Sequence, residues 1–271
     1  MSRAAEIVKK YAIAGKKELG QNFLLDDDLL EKIAASAGDL SGAEVLEVGP
    51  GPGGLTLALL ERSPQRLVSV EFDRRLVEIL GAEIGQFYSN LELIRGDALE
   101  IDENKLFRGK FKIVANLPYH IGTALLLKWL ENSSQRIDDM TLLLQREVVA
   151  RMTALPGTRD YGRLSIICQY LCDLEKCFDI PPEAFSPPPK VTSSLVRLRV
   201  KENSDPSLLP KLTRLVTGLF AQKRKTLLNN LRTLVPSPRE FLERCGLDPG
   251  SRAEELPLET ILRILQQLEG W

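Results

Sequence analysis

The chain is short of the residues on which much enzyme chemistry depends. One histidine, His120, stands in 271 residues. A Ser-His-Asp triad has a single candidate base and no supporting pattern around it, and a histidine-rich metal site is excluded. His120 is left with a local structural role or a substrate contact beside Tyr119. The four cysteines, Cys168, Cys172, Cys177 and Cys245, have a spacing that fits no common zinc motif, so reduced thiols and no metal are expected. No apolar run approaches the roughly 20 residues that cross a bilayer. The stretch from Met1 to Lys17 lacks the apolar core of a signal peptide. A cytoplasmic protein without membrane attachment is therefore expected.

Acidic residues are also missing from one long stretch. Between Pro206 and Arg239 there is no Asp or Glu, while Lys211, Arg214, Lys223, Arg224, Lys225, Arg232 and Arg239 all fall there. The whole chain carries a net charge of −1, so any basic surface comes from this segregation rather than from an overall excess. Such a block makes either a phosphate-binding face or a solvated helix face.

What is present alternates between short apolar runs and helical patterns. Strands are predicted at Val45–Val48, Leu67–Val70, Leu91–Ile94, Phe111–Ala115 and Met140–Leu144, and helices at Leu55–Leu60, Arg74–Ile84 and Thr123–Leu130. This alternation predicts an α/β fold, a parallel sheet with helices on both faces. The runs Leu164–Leu171 and Leu195–Val200 read as further strands. Lys201–Pro210 reads as a linker, and the remainder as helical with a break at Pro236-Ser237-Pro238. The expected division is a catalytic domain over residues 1–201 and a smaller helical domain over 202–271.

Ligands of such sheets sit at the carboxyl ends of the strands. Gly49, Glu71, Asp97 and Asn116 fall there on four successive predicted strands. Gly49-Pro50-Gly51-Pro52-Gly53-Gly54 lets a ligand approach the backbone closely. Glu71, 22 residues beyond Gly49, sits where a carboxylate commonly holds two ribose hydroxyls. Gly49, Gly51 and Gly54 also satisfy Gly-x-Gly-x-x-Gly, so a nicotinamide or flavin cofactor competes at this point. Asp97, placed to accept from an adenine amine or simply to cap a turn, matches S-adenosylmethionine better. At Asn116-Leu117-Pro118-Tyr119, the proline lacks an N–H and holds the preceding residue extended. Outward carbonyls beside the Asn116 amide oxygen are placed to accept from one exocyclic amine, and Tyr119 offers a flat face to the ring that carries it. A plain strand-ending turn is the simpler alternative.

Taken together these motifs carry a resemblance. The glycine loop, Glu71, Asp97 and Asn-Leu-Pro-Tyr look like a Rossmann-like class I methyltransferase acting on an adenine amine. Gly20-Gln21-Asn22-Phe23-Leu24, the stretch Phe185-Ser186-Pro187-Pro188-Pro189-Lys190-Val191 and the stretch Phe220 to Leu231 narrow it. From about Lys16 to about Leu265 the chain resembles the bacterial small-subunit (16S) ribosomal RNA adenine dimethyltransferase family. The resemblance implies that S-adenosylmethionine is held by Asn22, Leu24, Gly49, Gly51, Glu71, Asp97 and Asn116. It implies a target adenine held by Asn116, Leu117 and Pro118, stacked on Tyr119 and covered by Phe185. It implies dimethylation of two adjacent adenosines in a hairpin loop near the 3′ end of that RNA. The basic block, Lys223, Arg224 and Lys225, is then expected to grip the RNA, with Lys16 and Lys17 expected to add a second contact, and a monomer is the working expectation. His120, Gly122 and Thr123 depart from the family, which more often has an asparagine and two serines there. The alternatives are a dimethyltransferase of the large-subunit RNA of the macrolide-resistance type, and a ribosome-assembly factor without turnover.

Overall fold

The computed structural model describes residues 2–16, 19–222 and 225–268. Three of the basic residues singled out above, Lys17, Lys223 and Arg224, lie outside the described residues. The strands are β1 (Phe23–Leu24), β2 (Glu44–Val48), β3 (Arg66–Glu71), β4 (Leu91–Arg95), β5 (Phe111–Asn116), β6 (Ile137–Gln145), β7 (Cys172–Ile180), β8 (Phe185–Ser186) and β9 (Ser193–Val200). Seven of them form one sheet in the order β4-β3-β2-β5-β6-β9-β7, and β1 pairs with β8. The first five neighbours run parallel, and β9 returns antiparallel along β6.

The five strands predicted from the alternation are all present, and Leu195–Val200 falls within β9. Their apolar character follows from burial on both faces: Val45, Leu67, Val68, Ile113 and Val114 are each at most 1 % exposed. From β2 the chain steps outward to β3 and β4, then crosses back to lay β5 on the other side of β2. The strand order therefore reverses between β2 and β5. A crevice opens at such a point, outside the carboxyl ends of the two strands. The helix expected over Arg74–Ile84 is α-helical only to Leu80, and Gly81–Gly85 forms a wider π-type turn. That turn carries the buried Ile84, which packs in the same core as Leu80 and Leu57.

The chain divides into two compact units, residues 1–149 with 175–200, and residues 150–174 with 201–271. The expected single boundary at residue 201 misses that 150–174 packs with the later segment. Leu164–Leu171 is a helix, Arg163–Leu171, and not the strand expected from its apolar run. Ser165 sets the start of that helix: its Oγ accepts from the Gly162 N–H at 3.0 Å and donates to the Arg151 carbonyl. An eight-residue apolar run fits both periods, and tertiary partners decided it. The second unit buries Leu209, Leu212, Leu215, Val216 and Leu219 on helix Leu209–Leu219, at helical spacing, and Ile261, Ile264 and Leu265 on helix Leu258–Gln267.

Asn230, on the short helix Leu227–Leu231, is 6 % exposed. Its Nδ2 donates to the Leu219 carbonyl at 2.7 Å and the Gln222 carbonyl at 3.3 Å. It ties the end of one helix to the turn that leads into Lys225. Asn230→Ala removes the donor to the Leu219 carbonyl, while the Gln222 carbonyl keeps the Lys225 N–H at 2.9 Å, and should cost about 1–3 kcal/mol. Urea unfolding of the whole protein measures this, and an unchanged midpoint would remove Asn230 from the role.

Candidate active site

The crevice between β2 and β5 lies wholly in the first unit. It is lined by the segment Leu19–Leu24, the loop after β2, the ends of β3 and β5, and the turn after β4. Gly49, Gly51 and Gly53 have φ of 71°, 56° and 89°, the left-handed region that glycine enters without strain. The space beside them is already taken. A Cβ on Gly51 would stand 3.0 Å from the Phe23 ring, and one on Gly53 would stand 2.4 Å from Ile84 Cδ1.

Glu71 ends β3 and is 6 % exposed. The Asp73 N–H donates to its Oε1 at 2.8 Å, and the Gly51 N–H reaches Oε2 only at 3.4 Å. Burial pushes its carboxyl above the usual range, and the two backbone donors oppose that shift. Asp97 lines the same crevice. Its Oδ1 accepts from the Leu99 N–H at 2.9 Å, so it does cap a turn; Oδ2 makes no hydrogen bond among the described residues. A buried carboxylate with one loosely engaged oxygen, a half-engaged aspartate and a glycine-rich loop beside them fit a nucleoside with a charged tail. Asn22, Leu24, Gly49, Gly51, Glu71, Asp97 and Asn116 all line this crevice.

The acceptor turn follows directly from the end of β5. The Leu117 N–H donates to the Leu143 carbonyl at 3.3 Å. The Pro118 carbonyl accepts from the N–H groups of Ile121 and Gly122 at 3.1 and 3.0 Å, where helix Gly122–Asn132 begins. Both of its lone pairs are engaged, so of the two carbonyls considered from sequence only that of Leu117 stays available. Asn116 Nδ2 points toward the Asn22 carbonyl at 3.5 Å, and this leaves its Oδ1 as the outward acceptor. The turn also abuts the glycine loop, with Pro118 Cδ 3.7 Å from where a Gly49 Cβ would lie.

Tyr119 lines the crevice and is half-buried, and its hydroxyl lies 2.5 Å from Ser193 Oγ. His120 also lines it, with Nδ1 over Gly20, where a Cβ would approach to 2.8 Å. Its ring thus packs on the N-terminal segment. At Gly122 a Cβ would stand 2.7 Å from Leu144 Cδ2, so this departure from the family is matched by a leucine filling the space. Phe185 is not where it was expected. It is 3 % exposed, pairs with Leu24 through β1 and β8, packs in the same core as Leu30 and Leu195, and does not line the crevice. As placed, it presents no face to a base.

Three contributors were missed by sequence reasoning. Ser193 carried no motif signal, because its partner is 74 residues away. Lys128 donates to the Ala98 carbonyl at 2.8 Å and, with Trp129, to Glu103, so it anchors the turn that carries Asp97. Glu47, two residues before Gly49, was read only as part of a strand.

The match to known proteins agrees with this geometry. A family model described as ribosomal RNA adenine dimethylase matches residues 13–269. The chain belongs to the ribosomal RNA adenine dimethylase family. Within it, the ribosomal RNA small subunit methyltransferase A of Mesorhizobium japonicum is 43 % identical over 267 residues, covering 96 % of this chain and 95 % of its own. That of Ruegeria pomeroyi is 43 % identical and covers 97 % and 95 %. Among solved structures, a dimethyladenosine transferase from Plasmodium falciparum superposes with a TM-score of 0.78 at 28 % identity, over 89 % of this chain and 95 % of its own. The 23S rRNA methyltransferase ErmE superposes at 0.70 and 27 % identity, over 92 % and 100 %. The sheet is that of a class I methyltransferase.

Beneath the glycine loop of this methyltransferase lies Glu47, 1 % exposed. Thr56 and Ser69 donate to its Oε2 at 2.8 and 2.7 Å, while Oε1 has no hydrogen-bond partner. Burial pushes its carboxyl up to about 7, against the two hydroxyl donors and with a smaller push from Glu71. The folded chain thus holds this proton more tightly than the unfolded one. The resulting stability is complete below the ordinary carboxyl range and lost as pH rises through about 7. Glu47→Gln, which mimics the protonated form, should therefore raise stability at pH 8 by on the order of 1–3 kcal/mol and do progressively less toward pH 5. Thermal unfolding at both pH values measures this; an equal effect at the two would refute it.

Proposed function

We propose that this methyltransferase transfers methyl groups from S-adenosylmethionine to the exocyclic amines of two adjacent adenosines. The target is a hairpin loop near the 3′ end of small-subunit ribosomal RNA, in the cytoplasm. The observation that carries the reaction is the acceptor turn: with the Pro118 carbonyl engaged, Asn116 Oδ1 and the Leu117 carbonyl are the two acceptors beside the glycine loop. The names of the relatives at 43 % identity support the choice of small-subunit RNA. No helix among the described residues is long and apolar enough to cross a membrane.

S-adenosylmethionine supplies an electrophilic methyl group on a positively charged sulfur. Glu71 would hold its ribose hydroxyls, Asp97 its adenine amine, and Gly49 and Gly51 the backbone surface against its amino-acid end, with Asn22 and Leu24 closing over it. The target amine is a weak nucleophile because its lone pair is delocalised into the ring. Asn116 Oδ1 and the Leu117 carbonyl accept its two hydrogens and favour a pyramidal nitrogen with the lone pair free. Fixed acceptors of this kind act by positioning and by dipoles that need no reorganisation. The methylated nitrogen then loses its extra proton to water, so no tuned general base is required. The base must leave its stack to enter, which favours a loop, and Tyr119 then stacks on it, a contact worth about 1–3 kcal/mol. The basic block around Lys225 would hold RNA phosphates.

The test is methyl transfer from labelled S-adenosylmethionine to unmethylated small subunits, large-subunit RNA and duplex DNA, followed by nucleoside analysis. Dimethyladenosine is expected from the small subunit alone, reduced about 10²–10³-fold by Asn116→Ala. Label on large-subunit RNA would move the chain beside ErmE, and tight binding without transfer would make it an assembly factor. Replacing Lys223, Arg224 and Lys225 together with alanine should weaken RNA binding. It should also flatten the plot of log affinity against log salt by roughly 0.7–0.9 per lost phosphate contact. An unchanged slope would take those residues off the RNA.

A further inference from the structure

We infer that Ser193 is a positioning residue for the target base: through its hydrogen bond to the Tyr119 hydroxyl it fixes the plane on which the adenine stacks. The inference rests on the proposed stacking role of Tyr119.

Ser193 opens β9, is 0 % exposed and lies opposite Gln145 at the end of β6. Its place is set from both sides. The preceding carbonyl, of Thr192, accepts from the Arg146 N–H at 3.0 Å, and the following Ser194 hydroxyl donates to Asp179 at 2.5 Å. The Ser193 hydroxyl is therefore part of the sheet rather than of a loop. Tyr119 is attached elsewhere in the sheet, in the turn that leaves β5, with β6 between β5 and β9. Its ring is held at both ends, by its Cα in that turn and by its Oη at Ser193, 2.5 Å apart. Burial raises the phenol above its ordinary value, so the hydroxyl keeps its proton and the pair stays a neutral hydrogen bond.

The two methyl transfers depend on this plane unequally. An unmodified amine offers two hydrogens to the two acceptors, and these orient the base by themselves. A singly methylated amine offers one hydrogen, so the stacking plane carries more of the alignment. Misplacement by a fraction of an ångström or a few degrees then reduces transfer. Loss of the Ser193 hydroxyl should fall mainly on the second transfer.

The experiment compares Ser193→Ala, Tyr119→Phe, the double variant, Ser193→Thr and Tyr119→Ala on unmethylated small subunits. Its readouts are kcat and KM for each transfer and the ratio of monomethyl- to dimethyladenosine. Ser193→Ala and Tyr119→Phe should each slow the second transfer about 10-fold, with little change in KM for the cofactor, and monomethyladenosine should accumulate. The double variant should be no worse than either single change, since both remove the same bond. Ser193→Thr, which keeps the hydroxyl, should restore dimethyl product. If Ser193→Ala does not fold, Tyr119→Phe removes the same bond from the crevice side and carries the test. A product ratio unchanged in Tyr119→Phe, with transfer abolished in Tyr119→Ala, would overturn the positioning role and leave stacking intact. Full activity in Tyr119→Ala would overturn the stacking reading itself.

Discussion

At Gly53 an added Cβ would stand 2.4 Å from Ile84 Cδ1 and 2.7 Å from Leu80 Cδ2, and at Gly54 one would stand 2.7 Å from Leu30 Cδ1. These three groups come from three different helical segments. They meet at the end of the loop after β2 because Gly53 and Gly54 present only backbone there. Its positive φ values turn the chain sharply from strand to helix. The same bareness admits the Phe23 ring over Gly51 and brings Pro118 against Gly49. The cofactor wall, the N-terminal segment and the acceptor turn all depend on this one approach. A side chain at Gly51 would press on Phe23, one at Gly53 on Ile84 and Leu80, and one at Gly54 on Leu30.

The polar chemistry is arranged around that contact by the order of the strands. The reversal between β2 and β5 brings Gly49 and Asn116 to one edge, and β3 and β4 extend it with Glu71 and Asp97. The N-terminal segment is pinned from the far side. Lys10 and Tyr11 both bond to Glu83 at 2.6 Å, and Lys16 pairs with Asp73 at 2.7 Å. These contacts lie at or near the surface and are individually weak, but they tie the segment that leads to Leu19–Leu24 to the rest of the first unit.

The legible part of the sequence was the part whose pattern is local. Five strands and three of their helices announced themselves through short apolar runs, and the residues at the strand ends followed. The strand β7 did not, because Cys172–Ile180 alternates with Asp173, Glu175, Lys176 and Asp179 and has few large apolar residues. Leu164–Leu171 had enough apolar residues to be either element, and only its partners in the second unit made it helical. Phe185 was assigned to the site by motif alone, yet the pairing of β1 with β8 turns it into the core. Ser193 and Lys128 belong to the site through contacts that span 74 and 30 residues. Contacts of that separation leave no trace in a one-dimensional pattern.

The turn at Pro118, which leads into helix Gly122–Asn132, has a consequence for how the proposed reaction ends. Because the N–H groups of Ile121 and Gly122 occupy the Pro118 carbonyl, the turn holds a fixed number of free acceptors rather than a field of them. On the proposed reading, an incoming adenine satisfies both acceptors, a singly methylated one satisfies one, and a dimethylated one satisfies neither. A buried acceptor left without a donor is costly, so each turnover weakens the hold on the base that it has just modified. On that reading the turn counts hydrogens, and the finished product is the one it can no longer grip.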